Sequence, residues 1–255
     1  MINNKYIFKQ DVDTLKYSAL GDGAVRIISI YNIIKQYNLD AYIIPTPNKD
    51  TIMLWNDCFK ERIITNDTIP QSHKDAYMCA PLWLDWHYGL GSFYVFESVF
   101  WENGFLYTKD FNIEIPLLYK CNINSNGVMI YPKEGTSGNR VFEQSWYKEL
   151  VDTIHKNGHK VNLFGDIDFL PGVQVDKHFP RGVENMKKCL DESFLAIGGS
   201  TGPTWALLMS DVPQIVLDPR TVDRYWHFCR IKEIINKKIT VYTQEETLLN
   251  NLFMS

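Results

Sequence analysis

Phe194-Leu195-Ala196-Ile197-Gly198-Gly199-Ser200-Thr201-Gly202-Pro203-Thr204-Trp205-Ala206-Leu207-Leu208-Met209 compresses a strand, a turn and a helix into one stretch. The apolar run Phe194 to Ile197 reads as a buried strand, the glycines and hydroxyl residues after it as a turn, and a helix begins near Pro203. Proline suits a first helical turn, where the N–H it lacks would have had no partner. The glycines let backbone pass close to a ligand. Orphan N–H groups and the positive end of the dipole face the same way at such a helix start, which makes it a phosphate site. Turns of this composition also occur without a ligand, so the rest of the chain has to decide.

At 255 residues the chain allows one large domain or two smaller ones, with enough length to bury a real core. The net charge of −4 provides no global basic field and argues mildly against nucleic acid as the partner. Cys58, Cys79, Cys121, Cys189 and Cys229 are scattered, odd in number and form no C-x-x-C, which disfavours a zinc site or a disulfide framework. Met1-Ile2-Asn3-Asn4-Lys5 has no apolar signal core, and no run approaches the length of a membrane span. A cytoplasmic location without a transmembrane segment is the expectation.

Working outward, two α/β series emerge. In the first, Tyr6-Ile7-Phe8 reads as a short edge strand and Thr14 to Leu20 as the main one, ending in Gly21-Asp22-Gly23. Val25, Ile28, Tyr31 and Ile34 then recur at helical spacing, and Ala41 to Ile44 is the next strand, giving a βαβ unit and a parallel sheet. Thr51 to Phe59 is read as a helix and Arg62 to Thr65 as a third short strand. Ala80 to Phe111 is dense in rings, among them Trp83, Trp86, Phe93, Trp101 and Phe105 with His87 between them; most fit a core, and one or two could line an acceptor cleft.

Cys121 to Gly127 is polar and turn-rich, so the domains are placed at 1–124 and 125–255. The second series reads as strand Val128 to Tyr131, helix Gln144 to Asn157, strand Val161 to Phe164, strand Val173 to Val175 and helix Val183 to Leu190. After the opening stretch come strand Gln214 to Leu217 and helix Asp223 to Ile235, and the segments Ile239 to Tyr242 and Glu245 to Leu252 close the chain. Two such domains leave a cleft at the carboxyl ends of their sheets. Three turns of the second half would meet there: Gly135, Thr136, Ser137 and Arg140; Gly165, Asp166 and Asp168; Ser200, Thr201 and Gly202. Hydroxyls, a guanidinium and a helix start suit a diphosphate, and a carboxylate at a strand end suits ribose hydroxyls.

In these stretches the chain resembles the heptosyltransferase-like glycosyltransferases, the ADP-heptose:lipopolysaccharide heptosyltransferase family of GT-B type. Leu20-Gly21-Asp22-Gly23 before a helix is similar to the family's N-terminal Gly-Asp turn. Tyr131-Pro132 through Thr136-Ser137 to Arg140 resembles the loop opening its second domain, and Phe194 to Pro213 its terminal signature. The chain departs from the pattern with Ser200 before Thr201, where the family often has Asp, and with Trp205, where it often has His. The resemblance covers most of 128–218 but only about 14–44 of the first half. It implies an α/β fold of two Rossmann-like domains facing across a cleft, and inverting, metal-independent transfer of a sugar from a nucleotide-sugar co-substrate to a hydroxyl, with no bound cofactor.

On that resemblance Asp22 is the candidate base, against the alternative that it caps the following helix. Thr136, Ser137, Arg140, Gly165, Asp166, Ser200, Thr201 and Gly202 are assigned to the donor, against ordinary capping for the hydroxyls and a solvated surface charge for Arg140; Asp166 and Asp168 either touch the nucleoside or fill a turn. Gly23, Trp86 and His87 are assigned to the acceptor, with His87 as reserve base, and no residue to a metal. The acceptor is a glycan or lipid-linked saccharide. Alternatives are a phage enzyme glycosylating 5-hydroxymethylated pyrimidines in DNA, whose binding would weaken steeply with salt, and a non-catalytic nucleotide-binding module. A dehydrogenase is disfavoured because Gly21-Asp22-Gly23-Ala24-Val25-Arg26 lacks the full G-x-G-x-x-G pattern.

Overall fold

Two runs of parallel strands, each wrapped by helices, make up the computed structural model, which describes residues 4–9, 20–45, 49–79, 104–105, 113–132, 144–199, 201–217, 239–242 and 244–253. The chain divides into two compact units, Met1–Pro116 and Leu117–Ser255.

In the first unit, strand β1 (Lys5–Lys9) is followed by helix α1 (Leu20–Gln36), strand β2 (Asp40–Ile44), helix α2 (Lys49–Phe59) and strand β3 (Tyr77–Cys79). The sheet runs β2-β1-β3 with both pairings parallel. Tyr6-Ile7-Phe8 is therefore the central strand, not an edge. The adjacent residues Ile7 and Phe8 are both buried, as expected when a strand is covered on both faces. The strand expected at Thr14 to Leu20 lies outside the described residues, apart from Leu20, which opens α1. Gly21, Asp22 and Gly23 belong to the first turn of that helix rather than to a turn preceding it. Arg62 to Thr65 forms a single bridge, Ile63 to Ile43, between two 3-10 turns rather than a strand.

α1 is apolar on nearly every side: Ala24, Val25, Ile27, Ile28, Ile30 and Ile33 are all fully buried. Its two buried polar residues bond back into the structure. Ser29 Oγ donates to the Val25 carbonyl at 2.8 Å. Asn32 takes both backbone groups of Glu114, donating to its carbonyl at 2.7 Å and accepting from its N–H at 2.8 Å, which fastens the segment around Glu114 to the helix. Phe105, from the aromatic stretch, is buried against Tyr6, Phe8 and Tyr37, a core role. The other rings of Ala80 to Phe111 lie outside the described residues.

The second unit contains β4 (Gly127–Tyr131), α3 (Gln144–Lys156), β5 (Lys160–Phe164), β6 (Lys177–Phe179), α4 (Val183–Asp191), β7 (Leu195–Gly199), α5 (Gly202–Leu207), β8 (Gln214–Leu217), β9 (Ile239–Tyr242) and α6 (Glu245–Asn251). All six strands are parallel, in the order β6-β5-β4-β7-β8-β9. Counted from β4 this is 3-2-1-4-5-6, the Rossmann order. Alternate strand residues face opposite ways: Val128, Ile130, Val161, Leu163, Leu195 and Ile197 join one buried cluster with Trp146, Leu150 and Ile154 of α3 and Leu248 of α6. Asn162 serves the other face, donating to Ser193 Oγ at 2.9 Å and to the Glu192 carbonyl at 2.7 Å, just beyond α4. Helices thus cover both faces.

Val173 to Val175 is not a strand. Both valines are partly buried against the cluster, but ladder pairing starts at Lys177, opposite Asn162. The helix expected at Asp223 to Ile235 lies outside the described residues. Among the described residues no helix is long and apolar enough to cross a membrane.

Asp176 ties this region together. Its carboxylate accepts from the Val161 N–H at 2.8 Å and pairs with His155 Nε2 at 2.8 Å. Partial burial works against the charged form, but Val161, His155 and Lys160 outweigh it and hold the carboxyl below its usual range. A folded-state value below the unfolded one means a contribution complete above about pH 4 and lost as the pH falls through the folded value. Asp176→Asn is expected to lower Tm by about 2–4 °C at neutral pH, for a loss of about 1 kcal/mol at this half-exposed site. In parallel melts the difference should shrink as the pH falls below about 4 and the Asp176 carboxyl takes up its proton.

Candidate functional site

In an open parallel sheet of this kind, ligands settle outside the carboxyl ends of the strands where the strand order reverses. Here that point lies between β4 and β7, in register from Val128 opposite Leu195 to Tyr131 opposite Gly198. β4 runs out at Tyr131-Pro132, β5 at Phe164 into Gly165-Asp166, and β7 at Gly199 into Thr201-Gly202. Gly165, Asp166, Thr201 and Gly202 therefore share one sheet edge. Thr136, Ser137, Arg140 and Ser200 lie outside the described residues, as do Trp86 and His87.

Tyr131 packs directly on Gly198 at this edge. A Cβ on Gly198 would lie 2.1–2.5 Å from three ring atoms of Tyr131, so the phenol ring covers the space a side chain would need. The ring is fully buried, and burial pushes the phenol pKa up well above its usual value, although the Thr204 hydroxyl works in the other direction. Thr204 Oγ1 stands 3.3 Å from the Tyr131 hydroxyl and 2.5 Å from the Gly199 carbonyl oxygen, and accepts from the Thr201 N–H at 3.3 Å. One hydroxyl thus spans the turn from the end of β7 to the start of α5.

Thr201 is the N-cap of α5, in extended conformation, with Pro203 in the first helical turn. Thr201 and Thr204 form a capping box in which each side chain faces the other's backbone N–H, and the bond that Thr204 accepts is 3.3 Å long. Thr201 Oγ1 itself is buried with no hydrogen-bond partner among the described residues. A buried hydroxyl in that state costs about 1–3 kcal/mol unless something satisfies it. The Thr201 N–H is taken by Thr204, and Pro203 has none to give. The Gly202 N–H, at the first helical position, has no acceptor within the helix.

Gly165 is buried, with its N–H donating to the Phe179 carbonyl at 2.9 Å and its carbonyl 2.7 Å from His178 Nε2. Asp166 accepts from the Asp168 N–H at 3.0 Å and so caps the 3-10 turn Ile167–Phe169. Asp168 is exposed. Trp205, where a histidine was the family expectation, is buried at 4% exposure in the body of the unit. Two contributors were not picked out from the sequence, Tyr131 and Thr204. Thr204 carried a signal in its capping-box spacing from Thr201; Tyr131 had none, because its partner is set by strand register.

In the first unit, Asp22 and Gly23 lie in the first turn of α1, after β1, the central strand of its own sheet. A Cβ on Gly23 would lie 2.5 Å from Thr51 Cγ2, so this glycine lets α1 and α2 close on each other. The unit also has a hollow of about 550 Å³, lined by Lys35, Lys60, Arg62, Asp57, Glu61 and the apolar floor of Ile34, Leu39 and Phe59. It sits where α1 and α2 end, and basic groups there answer the negative dipole ends of both helices. Cys58 lines it too, and its thiol is pushed up to about 12 by burial, with Asp57 adding to the effect, so it is inert as a nucleophile at neutral pH. Among the described residues no three His, Cys, Asp or Glu side chains are grouped as a metal ion would require.

No protein-family profile and no curated protein sequence matches the chain. Solved structures do. E. coli heptosyltransferase WaaC with ADP is similar at a TM-score of 0.58 and 10% identity, over 93% of this chain and 92% of that one. The glycosyl transferase family 9 protein from Veillonella parvula DSM 2008 is similar at 0.51 and 12%, over 95% and 88%. The dodecameric, iron-containing heptosyltransferase TibC, in complex with ADP-D-beta-D-heptose, is similar at 0.57 and 12%, over 88% of this chain and 61% of that one. At these identities the likeness establishes a shared α/β fold, which these glycosyltransferases also have.

Proposed function

We propose that the chain is a glycosyltransferase that moves a sugar from a nucleotide-sugar donor to a hydroxyl, with inversion and without a metal ion or bound cofactor. One observation carries the proposal. The turn from β7 to α5, with the buried unpartnered hydroxyl of Thr201 and the Gly202 N–H, lies at the switch point of a 3-2-1-4-5-6 sheet. The shared fold with proteins solved with ADP or ADP-heptose supports the same choice of ligand. In this reading Thr201 and Gly202 hold the donor diphosphate together with Ser200, Thr136, Ser137 and Arg140. Gly165 and Asp166 border the nucleoside. The two domains have the GT-B arrangement implied by the resemblance, and the acceptor is a saccharide.

The reaction then needs little covalent chemistry from the protein. The acceptor oxygen attacks the anomeric carbon from the face opposite the diphosphate and forms the new C–O bond. The bond to the diphosphate oxygen breaks with its electron pair, and Asp22 takes the acceptor's proton. Negative charge grows on the leaving oxygens, so donors fixed at the turn stabilise the transition state more than the ground state. Gly23, Trp86 and His87 belong to the acceptor side.

A thermal-shift panel of nucleoside diphosphates and nucleotide sugars, beginning with ADP, tests the donor assignment. A ligand held only by the folded chain at about 100 times its Kd stabilises by about 2.7 kcal/mol, which should raise Tm by about 5–10 °C for a chain of this size. A panel in which no nucleotide raises Tm would remove the donor assignment.

A further inference from the structure

We propose that Tyr131 and Thr204 are positioning residues for the donor turn: Tyr131 fixes the Thr204 hydroxyl, which clamps the end of β7 to the start of α5. The inference rests on the donor reading above but assigns roles to two residues outside it. Proton counting gives the direction of the relay. Thr204 has one hydroxyl proton and two acceptor sites. The Gly199 carbonyl, 2.5 Å away, can only accept, so it takes that proton. The Thr201 N–H fills one acceptor site. The Thr204 hydroxyl proton also faces the Tyr131 hydroxyl oxygen at 3.3 Å, so the phenol oxygen is the second, more distant acceptor of the Thr204 hydroxyl. The Thr204 hydroxyl thus joins the end of β4, the end of β7 and the start of α5.

The relay links the two strands on either side of the switch point. Tyr131 ends β4, Gly198 and Gly199 end β7, and the ring lies in the space left by the missing side chain of Gly198. A buried ring seated against backbone has no freedom to shift, so its hydroxyl is a fixed reference point. Thr204 carries that reference across to Thr201 and Gly202, which are meant to meet the diphosphate. Fixed donors cost no rearrangement when ligand or charge arrives. Removing either hydroxyl should leave the fold standing and blur the turn.

The experiment compares wild type with Thr204→Val, Thr204→Ser, Tyr131→Phe and the double variant Tyr131→Phe/Thr204→Val. ADP affinity is measured by calorimetry, and Thr201 amide exchange is measured without ligand. Thr204→Val keeps the shape and loses the hydroxyl, whereas Thr204→Ser keeps the hydroxyl. Thr204→Val and Tyr131→Phe are expected to weaken ADP binding about tenfold, with the double variant no worse than Thr204→Val because the two act in one relay. Thr204→Ser should stay within about twofold of wild type, and Thr201 should exchange about tenfold faster in Thr204→Val.

Wild-type affinity in Thr204→Val, or equal weakening in Thr204→Ser and Thr204→Val, would overturn the proposal. Additive losses in the double variant would contradict a single relay. If wild type binds neither ADP nor any nucleotide sugar, the donor reading itself has failed. Faster Thr201 exchange in Thr204→Val would then mark the relay as a structural clamp only, which also overturns its role toward a donor.

Discussion

Gly198→Ala is expected to cost about 1–3 kcal/mol, the usual range for forcing a methyl into a filled space, and so to lower Tm by about 3–9 °C. The cause is specific. The new Cβ would lie 2.1 Å from the nearest ring atom of Tyr131, a ring that is itself fully buried and cannot swing aside. The cost therefore belongs to the pair rather than to the glycine's backbone. Shortening the partner with Tyr131→Val should open the space, and in that background the alanine should cost under about 0.5 kcal/mol. Chemical denaturation of the four proteins in the cycle measures this directly. An alanine penalty that persists unchanged beside the shortened partner would place the strain elsewhere and detach Tyr131 from the donor edge.

The second large effect concerns chemistry. Asp22→Asn should lower kcat by about 10²–10⁴, the share a positioned general base contributes, while ADP binds as in wild type. Asp22 sits in the first turn of a helix of 17 residues, where a carboxylate also complements the dipole. Its loss should cost about 0.3–1 kcal/mol of stability on that ground alone. Stability and turnover thus separate the two roles: a capping carboxylate moves only the first, a base moves both. Turnover unchanged in Asp22→Asn would take the residue out of the mechanism.

Much of the second unit could be read directly from the chain, and the reasons are local. β4, β5, β7 and β8 are short apolar runs bounded by glycine, proline or polar residues, and each was placed within two residues of its observed span. What joins β7 to β4 is not local. The contact of Tyr131 with Gly198 bridges residues far apart in sequence and exists only through register, so no pattern along the chain announces it. Asp166 illustrates the opposite case: its alternative reading, as a residue filling a turn, matches the bond it makes to the Asp168 N–H.

The first unit was harder for the same physical reason. A five-residue strand with both faces buried gives no alternation, so Tyr6-Ile7-Phe8 read as a short edge strand. Gly21 and Gly23 have poor helix propensity and were read as a turn. Tertiary packing overrides that preference, since the close approach of Thr51 requires a glycine at position 23. Val173 and Val175 show the converse, valines that pack on the core without joining a ladder.

A crystal structure of the chain soaked with ADP bears most directly on where the donor sits. The diphosphate should lie about 2.7–3.1 Å from the Gly202 nitrogen and the Thr201 hydroxyl, at the edge where β4 and β7 part. A diphosphate found instead in the hollow between α1 and α2 of the first unit, or at the opposite edge of the six-stranded sheet, would contradict the assignment.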